Sequence, residues 1–507
     1  MSAKTIMIQG TGSYVGKSVV TAALCRIFKS DGYKVAPFKS QNMALNSFVT
    51  KNGEEMGRAQ VVQAEACKTE PLVDMNPVLL KPSSDVGCQV VVMGKPIGNM
   101  DSVEYHKHKP KLMDTVIASF NRLAEENDIV VIEGAGSPAE INLRDNDIVN
   151  MSIAEKIDAP VIIVGDINLG GVFAWFVGTM DLISSDERKR VKGFLINKFR
   201  GDITLLEPAI KFLDEKTQKP TLGVIPYFTD IKIQEEDSVS IDPYKSNSQR
   251  GKKDKIKIKV IYLPHIANFT DFDILEKEQC VDLEYVKQSN VLEDADVIVI
   301  PGSKNTIGDL EVLRKNGFTS KIKECNSRGV SIIGICGGYQ MLGKEIIDPY
   351  HIETTKEKVK GIDLLDITTK IEKNKQTCQM TAHDKLFSSG IVHGYEIHMG
   401  KTRLGNTAKP IFEIFNRSGK KVNIKDGTKS PDGRVWGTYI HGIFDNDNFR
   451  RAFLKNMRES MKLPESGLGN LFDKEKEYDK LASLVRNNVD MKKIYSIMGL
   501  RTSTRLD

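Results

Sequence analysis

The stretch Ile6-Met-Ile-Gln-Gly10-Thr-Gly-Ser-Tyr-Val-Gly16-Lys17-Ser18, running directly into Val19-Val-Thr-Ala-Ala-Leu-Cys-Arg-Ile-Phe28, decides the fold class. A short apolar run predicts a buried strand, the glycines a turn, and the following apolar spacing a helix that stops near Gly32. Strand, glycine-rich loop and helix in that order make a phosphate cradle. Backbone N–H groups turn inward, the helix N-terminus adds partial positive charge, Lys17 reaches the β- and γ-phosphates, and the Ser18 hydroxyl ligates Mg²⁺. ATP and Mg²⁺ are therefore expected at Gly10, Thr11, Gly12, Gly16, Lys17 and Ser18. The usual GxxxxGK[ST] spacing would put glycine at position 11, where this chain has Thr11, so the loop is one residue longer when counted from Gly10.

Outward from the loop, apolar runs at 35–39, 129–133, 160–166, 193–199 and 221–227 alternate with helical patterns, the rhythm of a parallel α/β sheet. In such sheets ligands lie at the carboxyl ends of strands. Lys39, Glu133, Asp166 and Asn197 all end strands, which makes Lys39 a phosphate ligand, Glu133 and Asp166 candidates for magnesium, and Asn197 either an adenine contact or a turn former. This form of the loop resembles that of dethiobiotin synthetase and its relatives, which activate carboxylates by phosphorylation.

The polar stretch 237–255, DSVSIDPYKSNSQRGKKDK, lacks periodicity and reads as a linker. It separates an ATP domain at 1–236 from a second α/β series at 256–463, and 464–507 reads as a helical tail. In the second series Val330-Ser-Ile-Ile-Gly-Ile-Cys336-Gly-Gly338 has a strand, a cysteine between small residues, and a helix start. That is a nucleophile elbow, which exposes the sulfur at a helix N-terminus. His441, just past the strand in GTYIHGIF, is the expected general base, with His393 and His398 in reserve. The N–H of Gly337 and that of Gly302 in the Pro301-Gly-Ser turn supply the oxyanion hole. Cysteine and histidine on this scaffold resemble the class I glutamine amidotransferases. That family often has glutamate two residues after the histidine, but position 443 is Ile, which leaves open what orients His441.

Composition narrows the partners. With 507 residues the chain exceeds one ordinary core, and 40% hydrophobic and 27% charged residues match a globular protein. The 72 basic residues against 67 acidic leave +5, too weak a bias for a nucleic-acid footprint. Seven cysteines without a CxxC pair argue against a disulfide framework or structural zinc and fit a reducing, cytoplasmic setting. No apolar run approaches the roughly 18 residues of a membrane span, and the N-terminus lacks the pattern of a signal peptide. His106 and His108 in YHKHKP read as a solvated loop.

Longer strings point to a family: KSQNMALNSFVT from Lys39, EMGRAQVVQAEAC from Glu55, MNPVLLKP from Met75, EGAGSPAEINL from Glu133, PGSKNTIGDL from Pro301, GYEIHMG from Gly394 and GTYIHGIFD from Gly437. Over essentially the whole chain these resemble the adenosylcobyric acid synthase family. The resemblance implies glutamine- and ATP-dependent amidation of four carboxylates of adenosylcobyrinic acid a,c-diamide. It also implies that Gln41, Asn42 and Asn46 lie near the corrinoid or the nucleotide, with small molecules as the only partners. Asn168 and Leu169 stand where that family usually has Asp and Arg. Two rival readings stay open on the residues: a cobyrinic acid a,c-diamide synthase, and a phosphate-loop binding module carrying an inactive amidotransferase-like domain.

Overall fold

The computed structural model describes residues 3–82, 87–234, 254–464, 468 and 471–500. The linker reading at 237–255 falls outside the described residues except at its last two positions. The chain divides into two compact units, one made of residues 1–44, 56–234 and 473–507, the other of 45–55 and 235–472.

In the first unit, strands β1 (Lys4–Gly10), β2 (Val35–Phe38), β3 (Ile129–Glu133), β4 (Val161–Asp166), β5 (Val191–Phe199) and β6 (Thr221–Pro226) form a sheet in the order β6-β5-β4-β1-β3-β2. Every pairing in it is parallel. Both faces of a parallel sheet are covered, so its strands are continuous apolar runs rather than alternating ones. Ile6, Ile8, Val131, Ile162, Val164 and Leu195 accordingly lie in one buried core. The order places β1 at the centre, so the loop leaving Gly10 emerges where the crossovers diverge to either side, the position at which open sheets bind ligands.

Helix Lys17–Ser30 packs on this sheet, and helix Lys474–Asn488 from the C-terminal segment lies against it. Arg26 reaches Asp479 at 2.7 Å and Glu475 at 2.9 Å, and Asp490 N–H donates to the Leu222 carbonyl. The segment read as a tail thus completes the first unit's core through Tyr478, Leu481 and Val485. His106 and His108 are helical rather than in a loop: Ser102–Glu126 is one helix, started by a capping box at Asp101 and Glu104, and it carries Pro110 in its interior. Burial of the apolar residues Leu112, Val116 and Phe120 carries the helix past Pro110.

In the second unit, β7 (Ile256–Ile261), β8 (Val281–Val286), β9 (Val297–Ile300), β10 (Ser331–Ile335), β11 (Thr428–Lys429) and β12 (Val435–Thr438) lie in the order β8-β7-β9-β10-β12-β11. All pairs are parallel except β11 with β12. A long antiparallel hairpin, Ile367–Asp384 with Gly390–Leu404, builds a second sheet in this unit.

Candidate active sites

The elbow after β10 forces its nucleophile into a strained backbone: Cys336 has φ 51° and ψ −105°. Only small neighbours permit that turn, since a Cβ at Gly338 would sit 1.9 Å from the Ile300 carbonyl oxygen. Cys336 is buried, at 7% exposure, and its thiol points to the Ile397 carbonyl at 3.7 Å. Gly337 opens the helix Gly337–Met341, and a Cβ there would lie 2.9 Å from Ser303 N; one on Gly302 would lie 3.3 Å from His441 Cε1. The Gly302 turn, the elbow and His441 are therefore brought together. Gly302 is held by antiparallel pairing with Ala267.

His441 is almost fully buried, and its Nδ1 lies 2.7 Å from Asp271 Oδ2. The other oxygen of Asp271 accepts from Gly442 N–H at 2.8 Å, so the carboxylate grips both the ring and the chain beside it. Burial alone would lower the imidazole pKa, but Asp271 and the Cys336 sulfur outweigh burial and push it up to about 10. A protonated imidazole next to a sulfur nucleophile is the arrangement that activates cysteine. Tyr395 stacks on the His441 ring at 5.3 Å.

Asp271 is the third member that the sequence left open. Its only signal was an acid in the loop Asn268-Phe-Thr-Asp-Phe272 beyond the carboxyl end of β7, 170 residues before the histidine it serves. The reserve histidines lie elsewhere: His393 is exposed beside Asn446, and His398 stacks on Tyr439 at 3.8 Å and faces Glu396.

In the first unit the loop after β1 brings together Gly10, Thr11, Gly12, Gly16, Lys17 and Ser18. Gly16 has φ 99°, and a Cβ there would fall 2.1 Å from Asn197 Nδ2. Asn197 donates instead to the Val15 carbonyl at 2.9 Å and so fastens the loop to the end of β5. Lys17 Nζ donates to the carbonyls of Gly12 and Gly136 at 2.7 and 3.0 Å. The Thr11 hydroxyl is buried with no partner among the described residues.

Glu133 collects Ser18 Oγ at 2.8 Å, Lys39 Nζ at 2.9 Å and Gln63 Nε2 at 2.5 Å. Burial favours its neutral form, yet Lys39 and those hydrogen bonds prevail and hold the carboxyl below its ordinary range. Gln63 is a residue that sequence reasoning missed, because an amide inside a helix gives no signal. Asp166 is set apart, paired with Lys198 at 2.7 Å and capping Asn168 N–H. Ser18 and Glu133 are adjacent hard oxygen donors of the kind Mg²⁺ takes with nucleotide phosphates and water, so these residues fit the ion. No group of three or more His, Cys, Asp or Glu forms a ready-made protein cage among the described residues. A cavity of about 340 Å³ opens beside the loop, lined by Thr11, Gly12, Leu169, Trp175 and Leu182.

The structure separates the three amides grouped in the sequence. Gln41 accepts from Tyr105 OH at 2.5 Å and Asn42 donates to Gln60 at 3.1 Å, both in the first unit. Asn46 belongs to the second, where its carbonyl accepts from Phe269 N–H at 3.1 Å.

Two family models match the chain: a CobQ/CobB/MinD/ParA nucleotide binding domain over residues 6–241 and a CobB/CobQ-like glutamine amidotransferase domain over 257–449. Among curated sequences it is 51% identical over 505 residues to a protein of Dehalococcoides mccartyi named cobyric acid synthase, covering 98% of each chain. It is 52% identical to one of that name from Thermoanaerobacter sp., covering 97% of this chain and 98% of that one, and 50% identical to another from Clostridium botulinum.

Proposed function

This chain belongs to the cobyric acid synthase family, and on that premise we propose that it amidates the b, d, e and g carboxylates of adenosylcobyrinic acid a,c-diamide with ATP and glutamine, giving adenosylcobyric acid. One observation carries the reading: a single chain sets Cys336, on a strained elbow, beside a His441–Asp271 pair and also holds a phosphate loop with Ser18 against Glu133. Nitrogen release and carboxylate activation need those two different machines. The cavity beside the phosphate loop, walled by Trp175 and Leu182, offers room for the apolar edge of a corrin ring.

Cys336 Sγ attacks the glutamine carboxamide carbon, and the N–H groups of Gly302 and Gly337 take the charge that develops on its oxygen. His441 Nε2 passes its proton to the departing nitrogen, ammonia leaves, and water activated by the same nitrogen hydrolyses the thioester to glutamate. Asp271 keeps Nδ1 protonated throughout, which leaves Nε2 as the exchanging atom. In the first unit Lys17 and the loop N–H groups hold the ATP phosphates while the corrin carboxylate oxygen takes the γ-phosphoryl group. Ammonia then displaces phosphate from the acyl phosphate and forms the amide. Ser18 and Glu133 would hold Mg²⁺, with Asp166 as an outer carboxylate, and the ion would neutralise phosphate charge there. Lys39, Gln41, Asn42 and Asn197 complete the nucleotide and corrinoid contacts. The protein works in the cytoplasm on small molecules without an obligate protein partner.

Mass spectrometry of adenosylcobyrinic acid a,c-diamide incubated with the protein, Mg-ATP and glutamine tests this. Four successive losses of about one mass unit, each the exchange of O for NH, are expected. An unchanged mass, alongside glutamine-dependent ATP hydrolysis on another acid, would reject the corrinoid and keep the two-site chemistry.

A further inference from the structure

Residues 45–55 interrupt the first unit's sequence, since the chain belongs to that unit up to Ala44 and again from Met56, yet the intervening eleven residues belong to the second. Their hold on the triad is double. Asn46 Oδ1 accepts from Phe269 N–H at 3.1 Å while Ser47 N–H donates to Asn268 Oδ1 at 2.9 Å, a reciprocal clasp that is buried on both sides. Asn268, left-handed at φ 53°, starts the turn that ends at Asp271, the carboxylate gripping His441.

The second route runs through Tyr395. Its hydroxyl donates to the Ser47 carbonyl at 3.1 Å, its ring stacks on His441, and its backbone exchanges two hydrogen bonds with the backbone of His441. Farther along, Gly53 accepts from Thr377 Oγ1 at 2.9 Å and the fully buried Glu55 pairs with Lys375 at 2.5 Å. Buried polar groups left unpaired are costly, so these contacts fix the segment in one place.

We propose that residues 45–55 are a positioning strap for the amidotransferase triad, so that glutamine hydrolysis requires a segment supplied from within the ATP-binding sequence. The strap does not touch the reacting atoms. It acts through Asp271 and Tyr395 on the orientation and protonation of His441. Because a shift of the ring by an ångström disrupts proton transfer more than substrate binding, the strap governs kcat and not the affinity for glutamine.

The inference rests on the glutaminase reading above, and the test separates the two. In the full-length protein, Asn268→Gly keeps the left-handed backbone while removing the amide, and Tyr395→Phe removes only the hydroxyl. Each should lower kcat for glutamine hydrolysis about tenfold with KM within about twofold of wild type, and should move the alkaline limb of the pH profile to lower pH. Asn268→Asp, which keeps the acceptor oxygen, should restore most of the rate, and amidation driven by added ammonium should be unchanged in all three. Wild-type kcat and pH profile in both disrupted variants would overturn the strap, as would an equal fall of the ammonium-driven rate. A wild-type protein that hydrolyses no glutamine would instead overturn the reading on which the strap depends.

Discussion

Replacing Asp271 by Asn removes the charge on which the second unit's chemistry rests and keeps the volume. In the structure Asp271 accepts at 2.7 Å from the His441 ring and at 2.8 Å from Gly442 N–H, and both side chains are nearly inaccessible to water. An asparagine amide can keep only one of these contacts as an acceptor, and its N–H₂ facing Nδ1 favours the wrong tautomer. His441 is held at about 10 against an ordinary 6.5, with Asp271 the largest favourable influence. If Asp271 supplies about half of that difference, its loss removes roughly 2 to 3 kcal/mol from the imidazolium, or about a hundredfold in rate. Glutamate release from glutamine, measured across pH, should show kcat falling by about that factor. The alkaline limb should move from near 10 towards the ordinary histidine range, because a less stabilised imidazolium loses its proton at lower pH. Amidation from ammonium should survive. A variant with wild-type kcat and an unmoved limb would refute the role given to Asp271.

Cys336→Ala should abolish glutamine-dependent amidation and retain turnover with high ammonium, whereas Lys17→Ala should lose both; product mass with each nitrogen source reads the difference. Gly338→Ala should lower stability by about 2 to 4 kcal/mol and depress the melting temperature, because its Cβ meets the Ile300 carbonyl at 1.9 Å and the elbow cannot yield. Glu133→Gln should reduce ATP-dependent amidation at least tenfold while leaving glutaminase intact, and chelation of Mg²⁺ should copy that split. The His441 interaction also stabilises the fold: with its pKa raised from 6.5 to about 10, the contribution is full below about pH 6.5 and lost as pH rises towards 10. Asp271→Asn should therefore cost more in chemical denaturation at pH 6 than at pH 9.

The fold was largely legible because its signals are local. A buried parallel strand is a continuous apolar run, a phosphate loop is glycine and lysine between such a strand and a helix, and an elbow is cysteine among glycines; each is written within about a dozen residues. Cys336, Lys17 and Ser18 are candidates on such local patterns, and His441 on its place after a strand, with His393 and His398 in reserve. His106 and His108, read as a solvated loop, lie instead in a helix that burial of Leu112, Val116 and Phe120 carries through Pro110.

What tertiary structure alone decided is partnership across long stretches of chain. Asp271 meets a histidine 170 residues away, Gln63 meets a carboxylate 70 residues away, and Lys198 takes Asp166. None of these pairings leaves a periodicity, because one hydrogen bond needs one residue at one point in space. The segment around Asn46 shows the limit most sharply. Its sequence is continuous with Gln41 and Asn42, but hydrogen-bond satisfaction places it against Asn268 and Tyr395 in the other unit. Short-range composition determines which elements form, and the pairing of buried polar groups, visible only once the chain has folded, determines which of them build the site.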